Sequence, residues 1–226
     1  MRDALRGCFA AWGLPGRLRV DNGHPWGSWS DLPRELALWL IGLGVEVTWN
    51  RPRHPEENGT VERDQGVTKR WAEPGTCAGP EELGARLEWA AQIQRACYPA
   101  VRGRSRLEAH PALATPARPY APAREDELWE LGRVLRFLAG GLWRRRVCST
   151  GQVSLYNRRY GVGRRHAGQE VSVRFDPEAV QWVVLDARGA ELVRHAAEQI
   201  TRERVLGLEV LRRKPSGPGA GAPGRG

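Results

Sequence analysis

Long apolar runs, paired cysteines and lysine are what this 226-residue sequence lacks. No apolar stretch approaches the ~20 residues that a membrane span needs, so a helical membrane protein is excluded. The N-terminus, MRDALRGCFAAWG, reads as a short amphipathic helix without the long apolar core of a signal sequence. The four cysteines, Cys8, Cys77, Cys97 and Cys148, stand far apart with no CxxC pair. That argues against a disulfide frame and against a zinc site, and reads as ordinary buried thiols in a reducing compartment. No internal repeat is visible. The expectation is a cytoplasmic protein with no membrane partner.

Charge is abundant and unevenly spread. Lys69 and Lys214 are the only lysines among 35 basic residues, so arginine carries nearly all the positive charge. Residues 1–130 hold 17 basic and 18 acidic residues, a net of −1, whereas residues 131–226 hold 18 and 8, a net of +10. An excess confined to the C-terminal part is expected where one module binds a polyanion and its neighbour does not. A solvated, arginine-rich surface is the plain alternative.

The hydrophobic period changes along the chain. Ala4, Leu5, Cys8, Phe9 and Trp12 fall at helical spacing, and Gly13-Leu14-Pro15 stops that helix. Leu18 and Val20 alternate with Arg17 and Arg19 as a short strand ending at Asp21. A helix capped near Asp31 carries Leu32, Leu36, Trp39, Leu40 and Leu43 on one face. Val45, Val47 and Trp49 form a second strand, followed by the polar turn NRPRHPEENG and helices over about 60–71 and 80–97. This order predicts an α/β unit with parallel strands over residues 1–98. Two strands are few for a parallel sheet, so further strands are expected ahead of Met1. The Pro-, Ala- and Arg-rich residues 99–125 read as a linker or extended arm. From 126 to 211 a helix leads into short runs of period two (WRRRV, QVSLY, RYGV, EVSVRF, QWVVL, ELVRH), which predict a small antiparallel barrel. Residues 212–226, PSGPGAGAPGRG at their end, read as a disordered tail.

Asp21 closes a strand at the edge where α/β sheets place their sites, and Asn22-Gly23 lets the backbone leave that edge open. Glu62 follows 41 positions later, one helix and one strand on, upon a helix able to pack back beside the first strand. Two such carboxylates suit Mg²⁺ or Mn²⁺, and paired ions can clamp both oxygens of an in-line phosphoryl transfer. Taken one at a time, Asp21 is an ordinary Asp-Asn-Gly turn and Glu62 a solvated helix position.

Taken together, VDNG…LGVEVTWNRPRHPEENGTVERDQG resembles the second half of the integrase core of DDE transposases and retroviral-type integrases. Arg51-Pro52, His54-Pro55, Asn58-Gly59 and Glu62-Arg63 match the family pattern in order. The resemblance implies a partial ribonuclease H-like core, with Asp21 as the second catalytic Asp and Glu62 as the catalytic Glu, both metal ligands. The forty residues between them slightly exceed the family's spacing, with the excess in the loop HPWGSWSDLP. The family's first catalytic Asp has no counterpart here. Asp3, the sole Asp before Asp21, lies on the opening helix, so the expectation is an N-terminally truncated member, inactive alone.

The resemblance extends to about residue 213 and implies that the second unit is an SH3-like DNA-binding barrel, matched through VSLYNRRYGVG, HAGQEVSVRFD and WVVLDARGAEL. Candidate DNA contacts in the first part are Arg51, His54, Asn58, Arg63, Lys69 and Arg70. In the second part they are Arg144, Arg145, Arg146, Arg158, Arg159, Arg164 and Arg165, with His166, Tyr156, Tyr160 and Trp143 among them. The implied activity is metal-dependent DNA cleavage and strand transfer in transposition. The implied partners are double-stranded transposon ends and target DNA, and further copies of the chain assembled on them. Two rivals stand beside this reading: a non-catalytic DNA-binding remnant or regulator, and a small α/β module joined to a barrel for protein–protein interaction.

Overall fold

The computed structural model describes residues 1–28 and 31–211; the expected disordered tail, 212–226, lies outside them. The helices are α1 Arg2–Trp12, α2 Glu35–Gly42, α3 Gly59–Ala72, α4 Pro80–Ala96, α5 Arg106–Ala109, α6 Glu125–Leu128, α7 Leu131–Ala139 and α8 Arg202–Leu206. The strands are β1 Arg17–Val20, β2 Glu46–Trp49, β3 Leu142–Arg146, β4 Gln152–Leu155, β5 Arg158–Gly161, β6 Glu170–Asp176, β7 Gln181–Leu185 and β8 Glu191–Ala196. The chain is thus mixed helix and strand, with three small sheets among the described residues. No described helix is long and apolar enough to cross a membrane. Two compact units form: Met1–Gly23 with Val45–Trp129, and His24–Gly44 with the described residues from Glu130 on.

In the first unit β1 and β2 pair in parallel, Leu18 opposite Val47 and Val20 opposite Trp49. Alternation buries Val20 and Val47 while Arg17 and Arg19 stay exposed. Helix α1 ends at Gly13, whose positive φ of 81° brings its amide to the Phe9 carbonyl at 2.7 Å. A side chain there would meet Pro116 Cβ at 2.7 Å and the Arg118 carbonyl oxygen at 2.8 Å, so only glycine lets the returning chain come this close. Residues 99–125, expected as a linker or arm, fold against α1, α3 and α4. Ser105 caps α5 in a capping box with Glu108, and Arg106 reaches Asp64 of α3 at 2.8 Å and the Gln94 carbonyl of α4 at 2.9 Å. The prolines that suggested an extended arm instead open short 3₁₀ turns at Pro111 and Pro122, where a missing N–H removes no helical bond.

A buried polar knot closes this unit. Glu125, 5% exposed, accepts two bonds from Arg6, at 2.7 and 2.9 Å, and one from the Tyr120 hydroxyl at 2.5 Å. Burial first, and then the bond to Glu125, push the Tyr120 hydroxyl well above its ordinary pKa. Tyr120 also meets Phe9 edge to face at 5.8 Å, so the arm is held by apolar and polar contacts together.

The second unit buries α2 completely from Leu36 to Gly42, as its sequence LALWLIG, apolar all round, requires. The sequence pattern placed this helix in the N-terminal core and started it near Asp31. It starts at Glu35, because Pro33 keeps Leu32 out of the helical region and Asp31 Oδ1 instead takes the Leu32 amide at 2.7 Å. The Gly42 carbonyl at its end accepts the Glu130 amide and Arg133 Nη1, both at 3.0 Å. Strands β3, β6, β7 and β8 form one antiparallel sheet in that order, and β4 and β5 a separate hairpin. Trp182 on β7 packs against Phe175, Trp143 and Tyr156, with ring centroids 4.9, 5.9 and 6.1 Å away.

The four thiols are not buried. Cys8, Cys97 and Cys148 are exposed and Cys77 half-buried, none in a disulfide; they sit at a helix flank, helix ends or a turn and not in the core. Replacing Glu125 by Gln should lower stability by about 2 kcal/mol, since Arg6 loses its charged partner within a part-buried network. Urea unfolding followed by tryptophan fluorescence checks this, and an unchanged midpoint would contradict it.

Candidate functional site

Three asparagines build the edge that carries Asp21. The chain leaves β1 at Val20, whose carbonyl takes the Asn50 amide at 2.8 Å, extending the parallel ladder by one bond. Asn22 Nδ2 then donates to the Asn50 carbonyl at 2.6 Å, and Asn50 Nδ2 donates to Asn58 Oδ1 at 2.5 Å. Asn50 is 5% exposed, and its Oδ1 is buried with no donor among the described residues. The relay therefore joins the end of β1, the end of β2 and the residue that opens α3. Glu62 lies one turn beyond Asn58, in the first turn of α3.

Asp21 and Glu62 are both exposed, and neither has an ion-pair or hydrogen-bond partner among the described residues. Asp3, in contrast, pairs with Arg6 at 3.1 Å on the exposed side of α1. No cluster of three or more His, Cys, Asp or Glu side chains suited to a metal ion occurs among the described residues. The oxygens on this edge are carboxylate and amide oxygens, the hard donors that Mg²⁺ and Mn²⁺ prefer.

Helix α3 has one committed face and one free face. Val67 is buried, Asp64 is tied to Arg106, Thr68 takes Gln94 Nε2 at 2.7 Å, and Trp71 packs on Trp89 and Tyr98 at 6.3 and 5.3 Å. Helical spacing puts Glu62, Gly66 and Lys69 together on the other face, with Arg63 and Arg70 beside them. Arg63, Lys69 and Arg70 are exposed and have no acidic partner among the described residues.

The turn before α3 is internally occupied. Glu57 accepts the Arg51 amide at 2.8 Å and Arg51 Nε at 2.7 Å, so Arg51 serves the loop itself. The bond from the Arg51 side chain, followed by that from its amide, holds the Glu57 carboxyl below its ordinary pKa. His54 Nδ1 lies 2.6 Å from Glu56 Oε1, and this contact lowers the Glu56 pKa in the same way. Arg53 takes a φ of 65°, at the third position of a turn closed by His54 N–H to the Arg51 carbonyl, where glycine or asparagine is the easier residue.

In the second unit the seven candidate arginines divide. Arg145 is paired with Asp31 and donates to the Ser154 and Arg144 carbonyls at 3.3 and 2.8 Å. Arg158 pairs with Glu198 at 2.8 Å, and Arg144 lies 3.5 Å from Glu170. Arg165 Nε donates to His166 Nε2 at 3.0 Å on the 3₁₀ turn 164–166. Arg146, Arg159 and Arg164 are exposed with no acidic partner among the described residues. Tyr156, Tyr160 and Trp143 are buried as core residues, not presented to a ligand.

Asn50 and Glu57, which help set this geometry, were not singled out from sequence, and Asn22 was read only as part of a turn; an asparagine just after a strand reads as turn chemistry until its partner is seen. No known protein-family model matches the chain.

Two outcomes follow from the loop. Asn50→Ala leaves Asn58 without its donor and should cost about 1–2 kcal/mol in chemical denaturation. Because the folded-state pKa of Glu57 is depressed, its contribution is complete above the ordinary value of 4.5 and is lost as pH falls through the lower folded value. The Arg51 amide resonance in NMR should therefore titrate with a midpoint below 4.5; a midpoint at or above it would break the assignment.

Proposed function

We propose that this chain is part of a DDE-type transposase or integrase, contributing to a ribonuclease H-like catalytic core and carrying an SH3-like DNA-binding barrel. The observation that carries the reading is the pair Asp21 and Glu62. They are exposed, uncommitted carboxylates at two ends of the Asn22–Asn50–Asn58 relay, and they stand within the sequence pattern described above.

In this reading Asp21 and Glu62 are two of three metal-holding carboxylates, with Asn50 Oδ1 a further oxygen on the same edge. A bound Mg²⁺ or Mn²⁺ pair would neutralise charge on the scissile phosphate and favour deprotonation of the attacking hydroxyl. The protein's part is positional. The relay fixes the turn after β1 against the start of α3, and Arg63, Lys69 and Arg70 hold DNA phosphates along the free face of that helix. The chemistry is in-line displacement: water breaks the phosphodiester at the element's end and leaves a 3′-hydroxyl. That hydroxyl then attacks a target phosphodiester, forming one phosphodiester as another is broken. The third carboxylate is not among residues 1–20, where the single Asp, Asp3, is paired with Arg6.

A second reading, a DNA-binding protein without catalysis, draws on the lack of a three-carboxylate cluster among the described residues and on the net +10 of residues 131–226. Strand transfer on duplex DNA with Mn²⁺ separates the two. We expect none from the 226-residue chain alone. Activity should appear when the chain is joined to a segment supplying the remaining strands and Asp, and Asp21→Asn should abolish it. Salt-sensitive DNA binding with no cleavage in either form would favour the second reading.

A further inference from the structure

The hairpin β4–β5 and the turn that precedes it border an open groove of about 880 Å³. Its charged lining has a single sign: Arg146, Arg158 and Arg159 face it, and neither Asp nor Glu does. Strand register explains the convergence. Arg146 ends β3 just before the turn, and Arg159 stands opposite Ser154 on the hairpin. Arg146 and Arg159 are exposed and free of acidic partners among the described residues. Arg158 stands in the wall but is committed: its Nη1 is engaged by Glu198, and its Nε and Nη2 are buried. Ser149 and Thr150 add hydroxyls to the same wall. Two exposed, unpaired guanidinium groups, neutral donors and no lining carboxylate describe a site for an oxyanion, and guanidinium forks match phosphate oxygens in pairs.

We propose that this groove binds a backbone phosphate of a nucleic-acid strand, gripped by Arg146 and Arg159. The assignment rests on the DNA-binding reading above for the identity of the polyanion, and deepens it by naming which of the candidate arginines act. Arg144, Arg145 and Arg158, given to Glu170, Asp31 and Glu198, are not part of the grip.

Cys148 provides the readout. It is exposed on the groove wall with Sγ 3.0 Å from Thr150 Oγ1. That hydrogen bond and the backbone amides of the turn lower its pKa, with a smaller contribution from Arg159, so it alkylates readily. The experiment is iodoacetamide labelling of the whole chain at pH 7, read peptide by peptide by mass spectrometry, with exposed Cys8 and Cys97 as internal controls. A duplex oligonucleotide at ten times its Kd should slow Cys148 about tenfold, as mass action requires, and leave the controls unchanged. The protection should vanish in R146Q/R159Q and partly persist in R146K/R159K, which keep the charge. Equal Cys148 rates with and without duplex would overturn the proposal. So would protection by inorganic phosphate that duplex DNA does not reproduce, since the groove would then hold a free phosphate and not a nucleic-acid strand. Catalysis plays no part in this readout. Protected Cys148 with no strand transfer even from the chain joined to its completing segment sinks the catalytic reading alone, and strand transfer by that joined form with unprotected Cys148 sinks the groove alone.

Discussion

Everything proposed for the first unit depends on one buried amide side chain. Asn50 sits where β2 runs out, and its backbone and side chain together meet Val20, Asn22 and Asn58. A parallel pair of four-residue strands has little cohesion of its own. The bonds around Asn50 convert the loose end of that pair into a fixed corner from which α3 departs. An apolar residue of the same size would fill the space and keep the backbone bonds to Val20 and Asn22, but it would lose the hold on Asn58. The amide is tolerated inside because most of its polar atoms are used; one oxygen, Oδ1, is buried with no donor among the described residues.

The second unit runs on a different principle, segregation of arginines by their neighbours. Asp31 and Glu198 neutralise Arg145 and Arg158 from positions distant in sequence, and of the residues left over Arg146 and Arg159 line one groove beside the hairpin. The hairpin itself is tightened by Tyr156 and Asn157, which take φ of 48° and 60° in a two-residue turn of the kind that matches strand twist. Tyr156 anchors that turn by donating its hydroxyl to the Pro33 carbonyl at 2.9 Å. A basic surface of this kind is a product of the fold as much as of composition.

What sequence made legible was local. Strands β1, β2 and β6 follow from strict alternation, and α1 ends where Gly13 says it should, because those signals act within a few residues. Spacing and pattern singled out Asp21 and Glu62 as a pair, and the structure leaves both exposed. What escaped was set by partners far along the chain. Asn50 looks like any loop asparagine until Asn58 is beside it, and Arg145 looks free until Asp31, 114 positions away, is brought to it. Residues 99–125 were misjudged because proline content reports local stiffness, whereas Tyr120 and Arg106 are held by groups on α1, α3 and α6. The exposed thiols escaped for the same reason, since burial is decided by what covers a residue.

The grouping of α2 with residues from Glu130 onward has a consequence for how the chain comes into being. Its buried run, Leu36 to Gly42, is synthesised 89 positions before Leu131 begins the helix that receives it. At ordinary translation rates that is roughly 5–20 s during which a wholly apolar helix waits for its cover. Throughout that interval the nascent chain offers Leu38, Trp39 and Leu40 to whatever holdase or tunnel surface is nearest. A release of the chain at residue 129 would make the wait permanent.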